Sequence, residues 1–316
     1  MSRADFLQPD ESPRSSVFSA SLYPESARAA EYLSTVVAAG ACDLHMHSMC
    51  SDGSESAAQL IERAMRNGLK TISLTDHDNF KGVREIKIIE SKLRQLGVKT
   101  PVIIPGIEVS TQGLNQELHL LAYFPFGGYE AIQSIVEQSQ ISRDERNRKM
   151  CAVLTENGLP ISYEELRAEG GSIVGRVHMA NILVRKGYAG STDEAFHSWL
   201  SSSAPYYVRR EIADVEDVIV SILEAGGVPV LAHPALYGWT GRDDDDSLYN
   251  SLKYLKDKGL IGVETVSGQH TWLQRKELAT VTRELGLLAT CGSDYHGTNK
   301  VNVRMFTAEQ DFSEFL

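Results

Sequence analysis

Cysteine is scarce in this sequence: 316 residues hold four, Cys42, Cys50, Cys151 and Cys291. No two are spaced as CxxC, and their scatter makes no disulfide framework, which points to free thiols in a reducing, cytoplasmic setting. Long apolar runs are missing as well. Nothing approaches the roughly 18 consecutive residues of a transmembrane helix, so no membrane association is expected. The segment Val36 to Cys42 reads VVAAGAC, like a small-residue cleavage site. Its apolar part is too short for a signal sequence, Glu25, Arg28 and Glu31 lie just upstream, and it is expected to lead into the first strand. Positive charge is in deficit: 31 Lys and Arg face 42 Asp and Glu, a formal net charge of −11. That excludes a broad basic surface for long duplex nucleic acid but not a small, locally positive pocket. Neither a Walker A sequence nor a dinucleotide-binding glycine fingerprint occurs, so phosphate-loop and hydride chemistry lose their main support.

What is present is ordinary globular composition, 42% hydrophobic and 23% charged, long enough for a real core. Residues 1 to about 26 are rich in Ser, Pro, Asp and Glu and predict a mobile arm. After it come seven strand candidates: Ala41 to His47, Thr71 to His77, Val102 to Glu108, Glu117 to Tyr123, Val228 to His233, Leu260 to Val266 and Leu287 to Asp294. Helical periodicity covers Ala57 to Asn67, Val83 to Leu96, Val215 to Ala225, Leu248 to Lys258 and Trp272 to Leu285. Gly68, Gly97, Gly226, Gly259 and Gly286 follow these helices where C-terminal caps belong. Alternating elements with such short joins predict a parallel sheet, open or closed into a barrel. The stretch from Phe126 to about Ile212 is too long for a loop and reads as helical. The expected organisation is an arm and leading helix (1–40), a first barrel part (41–126), a helical insertion acting as a lid (127–212) and a second barrel part (213–316).

Six of nine histidines fall within or just beyond strand candidates: His45, His47, His77, His119, His233 and His296. A lone strand histidine is usually a satisfied core residue. Six at one structural address, joined by Asp52, Glu108 and Asp294, suit a metal site at the end of a barrel where active sites are built. His45 and His47 are two apart on a strand, so both point to one side. Asp294 and His296 repeat that spacing.

These motifs carry a resemblance. Asp43-Leu-His-Met-His-Ser48, Ser51-Asp-Gly53, Thr75-Asp-His-Asp78, Gly106-Ile-Glu-Val-Ser110, Ala232-His-Pro234 and Gly292-Ser-Asp-Tyr-His296 stand in the order found in the PHP family, the polymerase and histidinol phosphatase group of metal-dependent phosphoesterases. The chain resembles that family from about Asp43 to His296. The resemblance implies a distorted seven-stranded β/α barrel with a helical insertion subdomain, and two or three divalent ions (Mn, Zn or Fe). It implies a first ion on His45, His47, Glu108 and Asp294. Glu108 would bridge to a second, completed by His119 and His233, and Asp52, His77 and His296 would hold a third. Glu108, Asp294 and His233 would carry the catalytic roles. Some family members have His where this chain has Asp52.

Three such ions bring about six positive charges against three carboxylates, leaving a pocket suited to a phosphate dianion. Such ions would lower the pKa of a bound water toward neutral and so supply a hydroxide for attack on phosphorus. In the insertion, Ser142 to Arg148 places Arg143 and Arg146 on one helix face, and Gly175-Arg-Val-His178 places Arg176 near His178. Arginine grips phosphate bidentately, so these four are the candidate substrate contacts, with a solvated, salt-bridged surface the alternative. His270 is a weaker pocket candidate, and Asp243 to Asp246 reads as a solvated loop. The insertion is similar to that of the nucleotide-acting subgroup, which includes nucleoside 3′,5′-bisphosphate phosphatases and enzymes trimming RNA from the 5′ end. The expected partner is a small phosphorylated substrate or a short oligonucleotide 5′ end. Histidinol-phosphate phosphatase and a non-catalytic metal-binding regulatory module are the competing expectations. Oligomeric state stays open.

Overall fold

The computed structural model describes residues 21–170, 173–241 and 246–316. Most of the expected arm and most of the acidic loop at Asp243 to Asp246 lie outside the described residues. Within them the arm expectation runs too far, because the first helix, α1 (Pro24–Ala38), already starts at Pro24, a residue whose fixed φ suits a helical first turn. It is followed by β1 (Cys42–Asp43), α2 (Ala57–Arg66), β2 (Thr71–Leu74), α3 (Lys81–Gln95), β3 (Val102–Gly113) and β4 (Gln116–Tyr123). The long connection holds α4 (Gln133–Glu156), α5 (Tyr163–Glu169), α6 (Arg176–Arg185) and α7 (Thr192–Ala195). The chain then returns through α8 (Val215–Glu224), β5 (Val228–Leu231), α9 (Ser247–Asp257), β6 (Gly262–Ser267), α10 (Trp272–Glu284) and β7 (Leu288–Gly292). The five glycines read as caps all take left-handed φ just past their helices.

The seven strands form one sheet in the order β1 to β7. It curls until its edges meet. Leu44 N–H donates to the Cys291 carbonyl at 3.1 Å, Asp294 N–H to His45 at 2.8 Å and His47 N–H to Tyr295 at 2.9 Å. The result is a nearly closed barrel with helices outside. Its first strand is shorter than expected: beyond Asp43 the regular ladder with β2 ends, although the Met46 carbonyl still accepts from Thr75 N–H at 2.9 Å, and Met46 bridges to Tyr295 after β7.

The sheet is not all parallel. β4 runs antiparallel to both β3 and β5. The cause is a two-residue turn: Leu114 and Asn115 have φ of 47° and 63°, the left-handed pair that a tight hairpin of type I′ requires. The reversal matters for the site. The first residues of β4 lie at the rim where β2 and β3 point their C-terminal ends, so His119, opposite Ser110, arrives there from the start of a strand.

The barrel core packs Leu44, Ile104, Ile107, Leu120, Tyr123, Val230 and Val263 inside its helices. The insertion has its own core of Met150, Leu154, Ile161, Leu166, Met179 and Leu183. Among the described residues no helix is long and apolar enough to cross a membrane, and all four cysteines are free and buried.

Candidate metal centre

All nine sequence-predicted ligands gather at the barrel rim. His45 and His47 are fully buried, and their Nε2 atoms lie 3.1 Å apart. Glu108 is the hub. Its Oε2 lies 3.3 Å from His45 Nε2, 3.2 Å from His47 Nε2 and 3.1 Å from His77 Nδ1. Its Oε1 lies 2.8 Å from His119 Nδ1 and 2.9 Å from His233 Nε2. Asp294 Oδ1 stands 3.4 Å from both His47 Nε2 and His296 Nδ1. Asp52 Oδ1 stands 3.3 Å from His296 Nε2, and its Oδ2 3.7 Å from His77 Nε2.

These spacings fit a metal. Ligands about 2.1 Å from one ion stand about 3.0–3.5 Å from each other. Three sets bring one atom of each residue within 4.8 Å of all the others: His45, His47 and Glu108; His77, Glu108 and His119; and His47, Asp52, His77 and His296. Hydrogen bonding leaves the site incomplete, since Glu108 Oε2, His77 Nδ1 and His233 Nδ1 are buried without a hydrogen-bond partner among the described residues. Unpaired polar atoms of this kind are costly unless something binds them.

Proton competition tells the same story. Burial disfavours charge on His47, yet hydrogen bonds to Asp294 and Glu108 outweigh it and hold the ring up to about 9. His119 likewise overcomes burial through Glu108 and rises to about 9. His77 is pushed down to about 3 because burial prevails over Glu108 and Asp52, with His47 and His119 adding repulsion. Too many imidazoles share too few carboxylates for all to be protonated, and divalent cations can replace those protons.

A surrounding shell fixes these groups. Glu264, fully buried on β6, holds His45 Nδ1 at 2.9 Å and accepts the His233 N–H at 2.8 Å. Sequence reasoning passed over it as one carboxylate in a strand, although a glutamate amid Val263, Thr265 and Val266 is itself a signal. Asp76 accepts from Ser48 N–H at 2.8 Å and Ser51 Oγ at 2.6 Å, stiffening the loop that carries Asp52. Gln269 donates to Asp294 Oδ2 at 2.7 Å, and Lys300 pairs with the same oxygen. Gly292 has no room for a side chain: a Cβ there would stand 2.2 Å from that of His45.

The insertion residues divide. Arg143 is buried, pairs with Asp78 and donates to Ser110 Oγ at 3.1 Å. Burial alone would raise the Asp78 carboxyl, but Arg143 and Arg210 hold it well below the usual carboxylate range. Arg146 is buried with Nε on its neighbour Asn147 at 3.1 Å. His178 Nδ1 accepts the Gly175 N–H at 3.1 Å and so caps α6. His270 Nδ1 faces the Thr265 carbonyl at 3.2 Å. Arg176 lies 3.7 Å from Glu117 and over the Tyr207 ring. It lines a cleft of about 600 Å³ whose wall also includes Glu117, His119, Arg210 and His233. Arg210 was not singled out from sequence, though the Arg209–Arg210 pair at the end of the insertion was there to be read. A larger cavity, about 1020 Å³, opens at the other end of the barrel beside Gly40, Ala41, Ile261 and Leu287 and touches none of the nine ligands.

Comparison with known proteins agrees with this architecture. A 5′-3′ exoribonuclease of Haemophilus influenzae is 29% identical over 254 residues, covering 80% of this chain and 89% of its own. A 3′,5′-nucleoside bisphosphate phosphatase of Chromobacterium violaceum is 28% identical over 256 residues, 80% of this chain and 86% of that one. The crystal structure of a candidate metal-dependent phosphoesterase from Bifidobacterium adolescentis superposes with a TM-score of 0.71 at 28% identity, spanning 86% of this chain and 93% of that chain. Residues 43–214 match the family model of the PHP domain. Motif order, the seven-stranded barrel and this match agree, and the chain belongs to the PHP family of metal-dependent phosphoesterases.

Proposed function

We propose that this protein hydrolyses phosphate esters on nucleotides that carry a second phosphate, either nucleoside 3′,5′-bisphosphates or short 5′-phosphorylated oligonucleotides. The observation that carries this reading is adjacency. The rim that gathers nine ligand groups shares a wall, through His119 and His233, with a cleft lined by Arg176 and Arg210. The names of the two curated relatives, one a bisphosphate phosphatase and one an RNA-trimming enzyme, support the same substrate class.

Two or three divalent ions, Mn, Zn or Fe, are the cofactors of this reading. His45, His47, Glu108 and Asp294 would hold the first; Glu108, His119 and His233 the second; Asp52, His77 and His296 the third. Bound there, they supply positive charge to the phosphate oxygens and acidify a water for attack. Glu264 fixes the ring orientation of His45, as carboxylates behind metal-binding imidazoles do. Glu108 contributes both oxygens at once, so its position decides whether neighbouring ligands converge. Asp294 is held from its outer oxygen by Gln269 and Lys300, which leaves Oδ1 facing the histidines. The partner is a small phosphorylated molecule or a short 5′ end; a net charge of −11 disfavours long duplexes.

A screen of phosphorylated metabolites with Mn, Zn and Fe tests the reading. Two charge-assisted contacts of about 1.5–3 kcal/mol each correspond to a preference of at least about a hundredfold. Adenosine 3′,5′-bisphosphate or a 5′-phosphorylated dinucleotide is expected to exceed adenosine 5′-monophosphate by that factor in kcat/KM. Histidinol phosphate should rank lower still, because its ammonium group would face arginines. Histidinol phosphate as the best substrate would overturn the nucleotide reading, and no turnover with any metal would favour a regulatory module.

A further inference from the structure

Arg210 carries a charge that the metal centre does not explain. It is only 4% exposed. Its Nη2 donates to Ser139 Oγ at 2.7 Å and reaches Asp78 Oδ2 at 3.4 Å. Its Nε and Nη1 are buried without a hydrogen-bond partner among the described residues. Asp78 does not account for it, because Arg143 already pairs with that carboxylate. A buried guanidinium with two unpartnered nitrogens, three N–H bonds in all, is expensive unless an anion completes it.

The surroundings indicate which anion. Arg176, Arg209 and Arg210 line the cleft together with one carboxylate, Glu117. Three positive charges less one negative leave two positive charges, the complement of a phosphomonoester dianion. Neither Glu117 nor Tyr207 blocks that role: Tyr207 hydroxyl donates to Glu117 at 3.4 Å and Arg176 stands 3.7 Å from the same carboxylate, so Glu117 is engaged on the cleft wall. His119 and His233, on the same wall, belong to the metal centre.

We propose that Arg210, with Arg176 and Arg209, forms the receptor for the second, non-reacting phosphate of the substrate and sets the preference for it. This rests on the nucleotide reading above and names the residues that would produce its selectivity. It also separates the arginines by task. Arg143 pairs closely with Asp78 and leaves only Nε without a partner among the described residues, whereas Arg210 stands 3.4 Å from that carboxylate and leaves both Nε and Nη1. Arg209, exposed at the cleft mouth, adds long-range attraction.

The test uses the full-length, metal-loaded enzyme and three substrates: adenosine 3′,5′-bisphosphate, adenosine 5′-monophosphate and p-nitrophenyl phosphate. Arg210→Gln is expected to lose about ten- to a hundredfold in kcat/KM on the bisphosphate, mainly through KM. That loss should exceed the loss on p-nitrophenyl phosphate by at least about tenfold. Arg210→Lys should recover only part of it, since a single ammonium cannot replace the planar fork. Arg209→Ala should lose a few-fold in the same selective direction and guards against misfolding of the Arg210 variants, because its side chain is exposed. Equal losses on all three substrates would mean that Arg210 only fastens the insertion. Unchanged selectivity in the Arg210 and Arg209 variants would defeat the assignment while leaving the nucleotide reading standing. Wild-type indifference to the second phosphate would defeat both.

Discussion

The barrel rim and the insertion handle charge in opposite ways. At the rim, nine buried or nearly buried candidate ligands are held by strand ends, a backbone seam and a shell of further carboxylates. The insertion has its own apolar core and meets the barrel both through Tyr129, Ile132 and Val136, which join the barrel core, and through polar contacts. Arg143 and Arg210 reach Asp78, Gln140 Nε2 donates to the Asp78 carbonyl at 2.8 Å, and Asn181 pairs with Asn299 at 3.3 Å. The rim is therefore built into the fold, whereas the part of the insertion that packs on its own core can change side chains with less effect on the barrel. On the proposed function, chemistry would sit at the rim and substrate choice in the insertion.

The sharpest way to break this division is Glu108→Gln. One oxygen would lose its charge while five imidazoles still face it. Turnover should fall by about a thousandfold or more, since metal-assisted charge stabilisation contributes several kcal/mol. Bound metal per chain should drop with it, and circular dichroism should show the barrel intact. Wild-type metal content and hydrolysis in this variant would refute the ligand assignment.

Arg143→Ala tests the insertion side. Sequence periodicity suggested a substrate contact, but the structure places Arg143 against Asp78. Removing one partner of a buried ion pair costs about 3–5 kcal/mol. A lower denaturation midpoint is expected, with similar losses on bisphosphate and aryl phosphate. A selective loss on the bisphosphate with unchanged stability would return Arg143 to the substrate.

Glu264→Gln probes the shell behind the ligands. Metal affinity should weaken by about ten- to a hundredfold, read by competition with a chelating dye, while the KM of metal-saturated enzyme changes little. Loss of the fold without any change in affinity would make Glu264 purely structural.

The smallest effect concerns pH in chelator-treated protein. His47 and His119 rise from 6.5 to about 9. A raised folded-state value adds stability that is complete below pH 6.5 and lost as pH climbs through about 9. The melting temperature without metal should decline across that window. Metal affinity should rise over the same range, because binding displaces those protons. A melting temperature that rises between pH 6.5 and 9 in the absence of metal would contradict the proton competition at the rim.

Much of the rim was legible in the sequence because its signals are local. His45 and His47 share a face through the two-residue strand period, and glycines after five helices punctuate the chain. The direction of β4 was not legible: strand propensity carries no orientation, and its turn uses Leu114 and Asn115 where glycine would have announced it. Nor could Glu264 be read, since its role depends on His45, 219 positions away. The α4 helix misled differently. Its buried side includes Ser139, Arg143, Arg146 and Asn147, so apolar periodicity could not tell which arginines face the barrel.

Three residues at the mouth, Asp78, His233 and Asp294, have φ of 46°, 31° and 58°, conformations that cost a residue with a side chain about 1 kcal/mol or more. Glycine would relieve that cost and also remove a site carboxylate or imidazole. Robustness and activity therefore pull against each other at these positions. A lineage or laboratory library selected only for resistance to heat is expected to drift toward glycine or asparagine at 233 and 294, losing its reaction well before it loses its shape, whereas Asp78 is kept by its ion pair with Arg143.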